Sequence, residues 1–267
     1  MKKFDFKNID WKNIDKRRVF FLAIGVLCIG IAIYGLLDIF LDYKKSDDIY
    51  TQAEEEFVQV HVNTEEVLPE DRGPWYEYIS VNIAGLQQIN PEIVGWIYFE
   101  DGAISYPVLK GTDNEKYLNI TYNGSYAKAG SIFMDASHSS DFSDTLTLIY
   151  GHNMKNLSMF SKLKYYKTQR NHYVGREYFQ IHKGDEILRY QIFAFKDIPH
   201  DGFIYQGGFN SATQLAYQML EGSYINPNLP IEDDDKIVVL STCTSDDTRR
   251  FVVGAVLIER YSLTDKE

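Results

Sequence analysis

The chain divides into one long apolar stretch near its amino terminus and a remainder in which apolar runs are short. Val19–Leu37 holds 19 residues without a charge, and at about 1.5 Å per residue such a helix spans the ~30 Å hydrocarbon core of a bilayer. A buried helix rarely follows three consecutive basic residues, and a signal peptide ends in a small-residue cleavage site, whereas Asp38 follows here. We therefore predict one transmembrane helix over residues 19–41.

Beyond Pro91 the pattern is one of short apolar, β-branched or aromatic runs separated by turn residues. About eight strands at this density indicate a mainly β domain, built as a barrel or a sandwich. Helices are predicted at Asn82–Ile89, near Met159–Tyr166 and at Ser211–Leu220, the last with Asn210 as its candidate N-cap. The predicted strands are Val94–Phe99, Ile104–Leu109, Ser131–Met134, Thr145–Tyr150, Tyr178–His182, Leu188–Phe195, Ile237–Thr242 and Phe251–Ile258.

The charges on the two sides of the apolar stretch have opposite signs. Residues 1–18 carry seven basic and three acidic residues, a net of +4, and residues 42–267 carry 20 basic and 34 acidic residues, a net of −14. Positive flanks stay in the cytoplasm, so we predict that residues 1–18 are cytoplasmic and that the chain after Leu41 is extracellular. The acidic excess argues against nucleic acid as a partner.

The extracellular part separates into two regions. Residues 42–75 are polar and acidic and end near Pro74, which predicts a stalk that is partly helical around Tyr50–Val60. Residues 76–267 form the predicted domain. In this division Cys28 lies in the membrane and Cys243 is the only extracellular cysteine. A lone thiol in an oxidising compartment is either buried and inert or chemically required.

Cys243 stands at the end of a predicted strand, where a reactive group is rigidly held and still accessible. Arg249 and Arg250 open the next strand, and alternation allows only one of them to share the face of Cys243. A cationic neighbour favours the thiolate and can stabilise an oxyanion. Among six histidines, His152 follows a predicted strand and a glycine, so it is the candidate acid–base partner.

Several motifs resemble those of sortases, particularly class B. Ile149–Met154 looks like the histidine motif of that family, and Leu240–Cys243 resembles its TLxTC signature, with Val239 where the family usually has Thr. Asn90–Ile97 and Tyr106–Gly111 also look like the class B pattern. The resemblance covers roughly residues 76–262.

The resemblance implies a closed eight-stranded β-barrel with amino-terminal helices and a helix between strands six and seven. Its implied catalytic residues are His152, Cys243 and Arg250, with Arg249 as the alternative arginine. Four further positions match the family's sorting-signal groove: Asn114, Leu118, Tyr150 and Ser241. No metal or organic cofactor is implied.

The implied function is that of a membrane-anchored cysteine transpeptidase. Such an enzyme cleaves a carboxyl-terminal sorting signal after Thr, an NPxTx-like motif in class B, through a thioester. It then transfers the secreted protein to a peptidoglycan-precursor amine. Two alternatives are a membrane-anchored cysteine endopeptidase that only hydrolyses, and a surface binding domain without catalysis.

Overall fold

The computed structural model describes residues 15–60, 79–244 and 246–262, without the side chains of Lys16, Arg18 and Cys243. These residues form two compact units, 1–44 and 45–267. Most of the predicted cytoplasmic segment and residues 61–75 of the predicted stalk lie outside the described residues.

Helix α1 is formed by Lys16–Phe57, and its residues up to Lys44 belong to the first unit. Its large apolar side chains between Val19 and Leu41 are exposed. Among the described residues it is the one helix long and apolar enough to cross a membrane. This agrees with the predicted position of the apolar span.

The second unit is mainly β. Its strands are β1 Val58–Val60, β2 Ile79–Val81, β3 Ile93–Phe99, β4 Ser105–Leu109, β5 Ile132–Met134, β6 Leu146–Tyr150, β7 Tyr178–Lys183, β8 Glu186–Pro199, β9 Ile237–Cys243 and β10 Arg249–Ser262. Its helices are α2 Ile83–Ile89, α3 Lys164–Thr168 and α4 Ala212–Leu220, with 3-10 turns at Lys116–Leu118, Phe160–Leu163 and Phe203–Tyr205.

Strands β3 to β10 close into a barrel in the order β10-β8-β7-β3-β4-β5-β6-β9, and β9 pairs with β10 to complete it. The pairs β4–β5 and β6–β9 are parallel, and the others are antiparallel. Closure leaves the barrel without unpaired edge strands. The predicted closed eight-stranded barrel is confirmed, and each predicted strand corresponds to one barrel strand.

Helix α4 covers the outer face of the barrel and, as predicted, lies between its sixth and seventh strands, β8 and β9. It buries Ala212, Leu215, Ala216 and Met219, the spacing of an amphipathic helix. The predicted N-cap Asn210 is wrong. Ser211 caps the helix, because its backbone is extended and its hydroxyl accepts from the Gln214 amide at 3.1 Å.

The folded domain begins earlier than the predicted residue 76. Tyr50, Ala53 and Phe57 are buried in the barrel unit, and Val58–Val60 pairs with Ile79–Val81. Residues 45–60 are therefore part of the folded domain and differ from the predicted stalk. The three buried residues are spaced as on one face of a helix. The exposed Glu54–Glu56 between Ala53 and Phe57 make the segment acidic, and this composition hides the buried face.

Candidate active site

The predicted catalytic positions come together because three strands end at one place. Parallel pairing sets Tyr150 of β6 level with Ser241 of β9. His152 and Cys243 each follow that pair by two residues, so both lie just beyond the same end of the paired strands β6 and β9. Antiparallel pairing sets Arg250 of β10 directly opposite Cys243. Directly paired residues share a face of the sheet.

A cleft of about 360 Å³ opens at these strand ends. Six of the seven predicted site residues line it. The seventh is Cys243, whose side chain is not among the parts of the chain that the structure describes. None of its described lining residues is acidic, and its basic side chains are those of Arg250, His152 and His200, which favours anionic groups inside the cleft. Its lining residues are Asn114, Leu118, Phe133, Tyr150, Gly151, His152, His200, Tyr205, Ser241, Thr242 and Arg250.

The backbone around His152 is held from both sides. The Gly151 amide donates to the Ser241 carbonyl at 3.1 Å, and the His152 carbonyl accepts from the Phe160 amide at 3.1 Å. Gly151 has no room for a side chain, since a Cβ there would lie 2.5 Å from Ile132 Cδ1 and 2.6 Å from Phe160 Cδ2. The glycine of the motif therefore lets the chain turn tightly from β6 into the cleft.

The imidazole of His152 is oriented by one hydrogen bond. Its Nε2 lies 2.7 Å from the Leu118 carbonyl oxygen. A carbonyl oxygen only accepts, so this contact requires the proton on Nε2. Nδ1 is then the nitrogen that remains for proton exchange within the cleft.

The guanidinium of Arg250 is fixed by the turn that precedes β10. Its Nη1 donates to the carbonyls of Asp247, at 3.0 Å, and Arg249, at 2.9 Å. The N–H groups on Nε and Nη2 have no acceptor among the described residues and can bind a ligand. Arg249 does not line the cleft, and its Nη2 donates to the Asp197 carbonyl at 2.9 Å.

Asp135 supports one wall of the cleft from behind. Its Oδ2 accepts from Asn114 Nδ2 and from the Tyr150 hydroxyl, both at 2.8 Å. Partial burial raises the pKa of Asp135, but hydrogen bonds from Ser137, Tyr150 and Asn114 outweigh it and hold that pKa below its usual range. Burial, together with this carboxylate, raises the pKa of Tyr150. The phenol therefore stays neutral and donates.

Tyr205 forms the facing wall. Its ring stacks on Tyr150 with centroids 6.3 Å apart and planes 12° apart. Its hydroxyl and that of Ser241 are 2.7 Å apart. These contacts hold the segment between β8 and β9 against the end of β9, and Tyr205 thereby touches both predicted groove residues, Tyr150 and Ser241.

Five lining residues are absent from the predicted site, namely Phe133, Gly151, His200, Tyr205 and Thr242, although Gly151 and Thr242 lie within the motifs that indicated it. The β8–β10 pairing brings the His200 amide within 2.8 Å of the Thr248 carbonyl, beside the arginines. Thr242 Oγ1 is buried without a hydrogen-bond partner among the described residues. Tyr205 follows the strand in a loop without periodicity, so no local pattern signals it.

Comparisons with known proteins agree on one family. The sortase domain model matches residues 97–258. Sortase B of Listeria monocytogenes is 33% identical over 182 residues, 67% of this chain and 73% of that protein. Sortase B of Staphylococcus aureus is 31% identical over 195 residues, 68% of this chain and 77% of that protein.

Solved structures give the same result. Sortase B of Bacillus anthracis, in complex with AAEK1, matches with a TM-score of 0.67 and 28% identity, over 83% of this chain and 100% of that one. The Staphylococcus aureus sortase B–substrate complex matches with a TM-score of 0.60 and 28% identity, over 66% of this chain and 84% of that one. The barrel and the family match confirm the resemblance inferred from the motifs: the chain belongs to the sortase family, as a transpeptidase of class B.

Proposed function

We propose that this sortase uses Cys243, His152 and Arg250 to transfer secreted proteins to the cell wall. The observation that supports the proposal is that Arg250 is paired with Cys243 across β9 and β10, while Arg250 and His152 both line the cleft at this end of the strands. Cleavage after Thr in a carboxyl-terminal sorting signal is the specific reaction proposed.

In the first half of the reaction, the Cys243 thiolate attacks the carbonyl carbon of the Thr residue. The oxygen becomes an oxyanion, and the free N–H groups of Arg250 are available to donate to it. When the tetrahedral intermediate collapses, the C–N bond breaks and protonated His152 gives its proton to the leaving amine. The product is a thioester between Cys243 and the secreted protein.

In the second half, an amine of a peptidoglycan precursor attacks the thioester carbonyl. His152 takes the amine proton, the C–S bond breaks, and Cys243 leaves as a thiolate. The net change is one amide bond broken and another formed, so no outside energy source, metal or organic cofactor is needed. The cationic surroundings of the cleft favour the thiolate at both ends of the cycle.

The sorting signal is proposed to be an NPxTx-like motif that occupies the cleft next to Cys243. Leu118 and the ring of Tyr150 offer apolar surface, whereas Asn114 and Ser241 offer polar atoms. This mixture fits a short peptide with both amide and apolar side chains. One similar protein, sortase B of Staphylococcus aureus, has been solved as a substrate complex.

Membrane attachment is proposed through the apolar part of α1, residues 19–41, with residues 1–18 in the cytoplasm and the barrel outside. The opposite net charges of the two flanks support this orientation. An enzyme tethered to the outer side of the membrane meets secreted substrates and wall precursors at high effective concentration.

The test combines the chain with a sorting-signal peptide and a series of peptide amines. We expect added amine to divert the product from the free acid to the amide, and His152→Ala to lower amide formation by at least about 100-fold. His172→Ala is the matched control, since His172 lies outside the cleft. A product that stays a free acid at every amine concentration would indicate an endopeptidase instead.

A further inference from the structure

A second cleft adjoins the candidate active site. It has a volume of about 620 Å³ and shares Tyr205 with the first cleft. One wall is the loop from Ser137 to Leu146, which leads into β6. The other wall is the segment Gln206–Asn210, which follows the 3-10 turn bearing Tyr205. The two clefts therefore adjoin each other at Tyr205.

The two clefts lie at opposite ends of β6. The first contains Tyr150, the last residue of the strand, and the second contains Leu146, its first residue. Leu146 is paired with Ile237 of β9. Cys243 lies six residues beyond Ile237, which corresponds to about 20 Å along the strand at roughly 3.3 Å per residue.

We propose that the second cleft binds the part of the secreted protein immediately upstream of the sorting motif. This inference rests on the proposed function, because the acyl part of the substrate remains attached to Cys243. An extended peptide rises by the same ~3.3 Å per residue, so about six residues reach the second cleft from the scissile carbonyl. The four motif residues fill the first cleft, and the fifth to seventh residues before the scissile bond fill the second.

The backbone of the second wall is suited to an extended peptide. The N–H groups of Gly207, Gly208, Phe209 and Asn210 have no hydrogen-bond partner among the described residues. Gly207 and Gly208 have φ angles of +67° and +80°, a conformation that other residues adopt only with strain. These donors can bind substrate carbonyls whatever the side chains are, as in other modes of peptide recognition.

The first wall adds a preference for a positively charged residue in the upstream peptide. Asp144 Oδ2 accepts from the Ser139 amide and lies 3.5 Å from His138 Nδ1. Its Oδ1 has no partner among the described residues, and the side chain is 38% exposed. A lysine or arginine in the upstream segment can pair with this carboxylate, whereas an acidic residue is repelled.

The test uses the full chain in detergent micelles, with an excess of one fixed amine acceptor. The substrates are Asn-Pro-Ala-Thr-Gly alone, the same core after Ser-Ala-Ser-Ala, and two versions of the longer peptide with Lys or Glu two residues before Asn. We expect upstream extension to raise kcat/KM by about two- to tenfold, the worth of one net hydrogen bond. Lys is expected to exceed Glu by about two- to fivefold.

Two variants test whether the preference for Lys over Glu depends on the charge of Asp144 in particular. Asp144→Asn should bring the Lys-to-Glu ratio close to one, whereas Asp185→Asn should retain it, since Asp185 is exposed on the turn between β7 and β8. Equal kcat/KM for all four peptides would overturn the second binding site and leave transpeptidation intact. Failure of every peptide to react would instead count against the proposed function, and this inference would fall with it.

Discussion

Arg250 lies directly opposite Cys243 in the antiparallel pair formed by β9 and β10. This relationship separates the two arginines that the sequence leaves as alternatives. Arg250 shares the face of Cys243 and lines the cleft, whereas Arg249 points away and donates to the Asp197 carbonyl. The register favours Arg250 as the residue that contacts the reacting carbonyl.

Arg250→Gln should therefore be far more harmful than Arg249→Gln. Loss of one oxyanion donor lowers kcat by about 10²–10³-fold, and we expect that loss in peptide transpeptidation by the Arg250 variant. The Arg249 variant should stay within about threefold of wild type, because its partner is a backbone carbonyl outside the cleft. Equal losses in the two variants would contradict the assignment made from the register.

Gly151→Ala should destabilise the domain and displace His152. The added Cβ meets Ile132 and Phe160 well inside van der Waals distance, and overpacking of this kind costs about 1–3 kcal/mol in unfolding free energy. Gly111→Ala is the control, because the nearest atoms to a Cβ there lie at 3.4 Å. Urea unfolding of both variants would measure the difference, and equal midpoints would argue against a tight turn.

Asp135 should make the stability of the domain depend on pH in the acidic range. Its pKa in the folded state lies below that of an ordinary aspartate, so its contribution to stability is fully present above the ordinary pKa and is lost as the pH falls through the folded-state pKa. Urea midpoints of wild type and Asp135→Asn, compared from pH 2.5 to 5, should converge at the acidic end. Parallel profiles would show that the charge of the Asp135 carboxylate contributes nothing to the stability of the domain.

Phe57→Ala should test whether residues 45–60 belong to the folded domain. Phe57 is only 7% exposed, whereas Val60, three residues later, is 62% exposed. Truncation of a buried Phe costs about 3–5 kcal/mol, and Val60→Ala should cost less than about 0.5 kcal/mol. Thermal unfolding of residues 45–267 would measure both, and a harmless Phe57→Ala would restore the interpretation of this segment as a stalk.

Much of the barrel was predictable because each of its strands has a local sequence pattern. Each of the eight predicted strands is a barrel strand, and the strand ends at Tyr150 and Cys243 indicated where the candidate active site lies. Strand order could not be predicted in this way, because the parallel pairing of β6 with β9 joins residues about 90 positions apart. Only this pairing explains why His152 and Cys243 lie beyond the same end of two neighbouring strands.

Other features were hidden by composition or distance. Tyr50 and Phe57 lie among glutamates, so the acidic pattern predicts solvent exposure where the helix in fact packs on the barrel. Tyr205 reaches the cleft from a loop, and its hydroxyl contact with Ser241 spans 36 residues. His200 enters through the strand pairing of β8 with β10. Tertiary packing, which a local pattern does not contain, decides all three.

Intact-mass spectrometry tests most directly whether Cys243 carries the substrate as a thioester. The chain is mixed with a sorting-signal peptide without an amine acceptor and quenched in acid at short times. We predict a mass increase equal to the acyl part of the peptide, which hydroxylamine removes and which Cys243→Ala abolishes. An adduct that persists in Cys243→Ala, or amide product formed by that variant, would contradict the account.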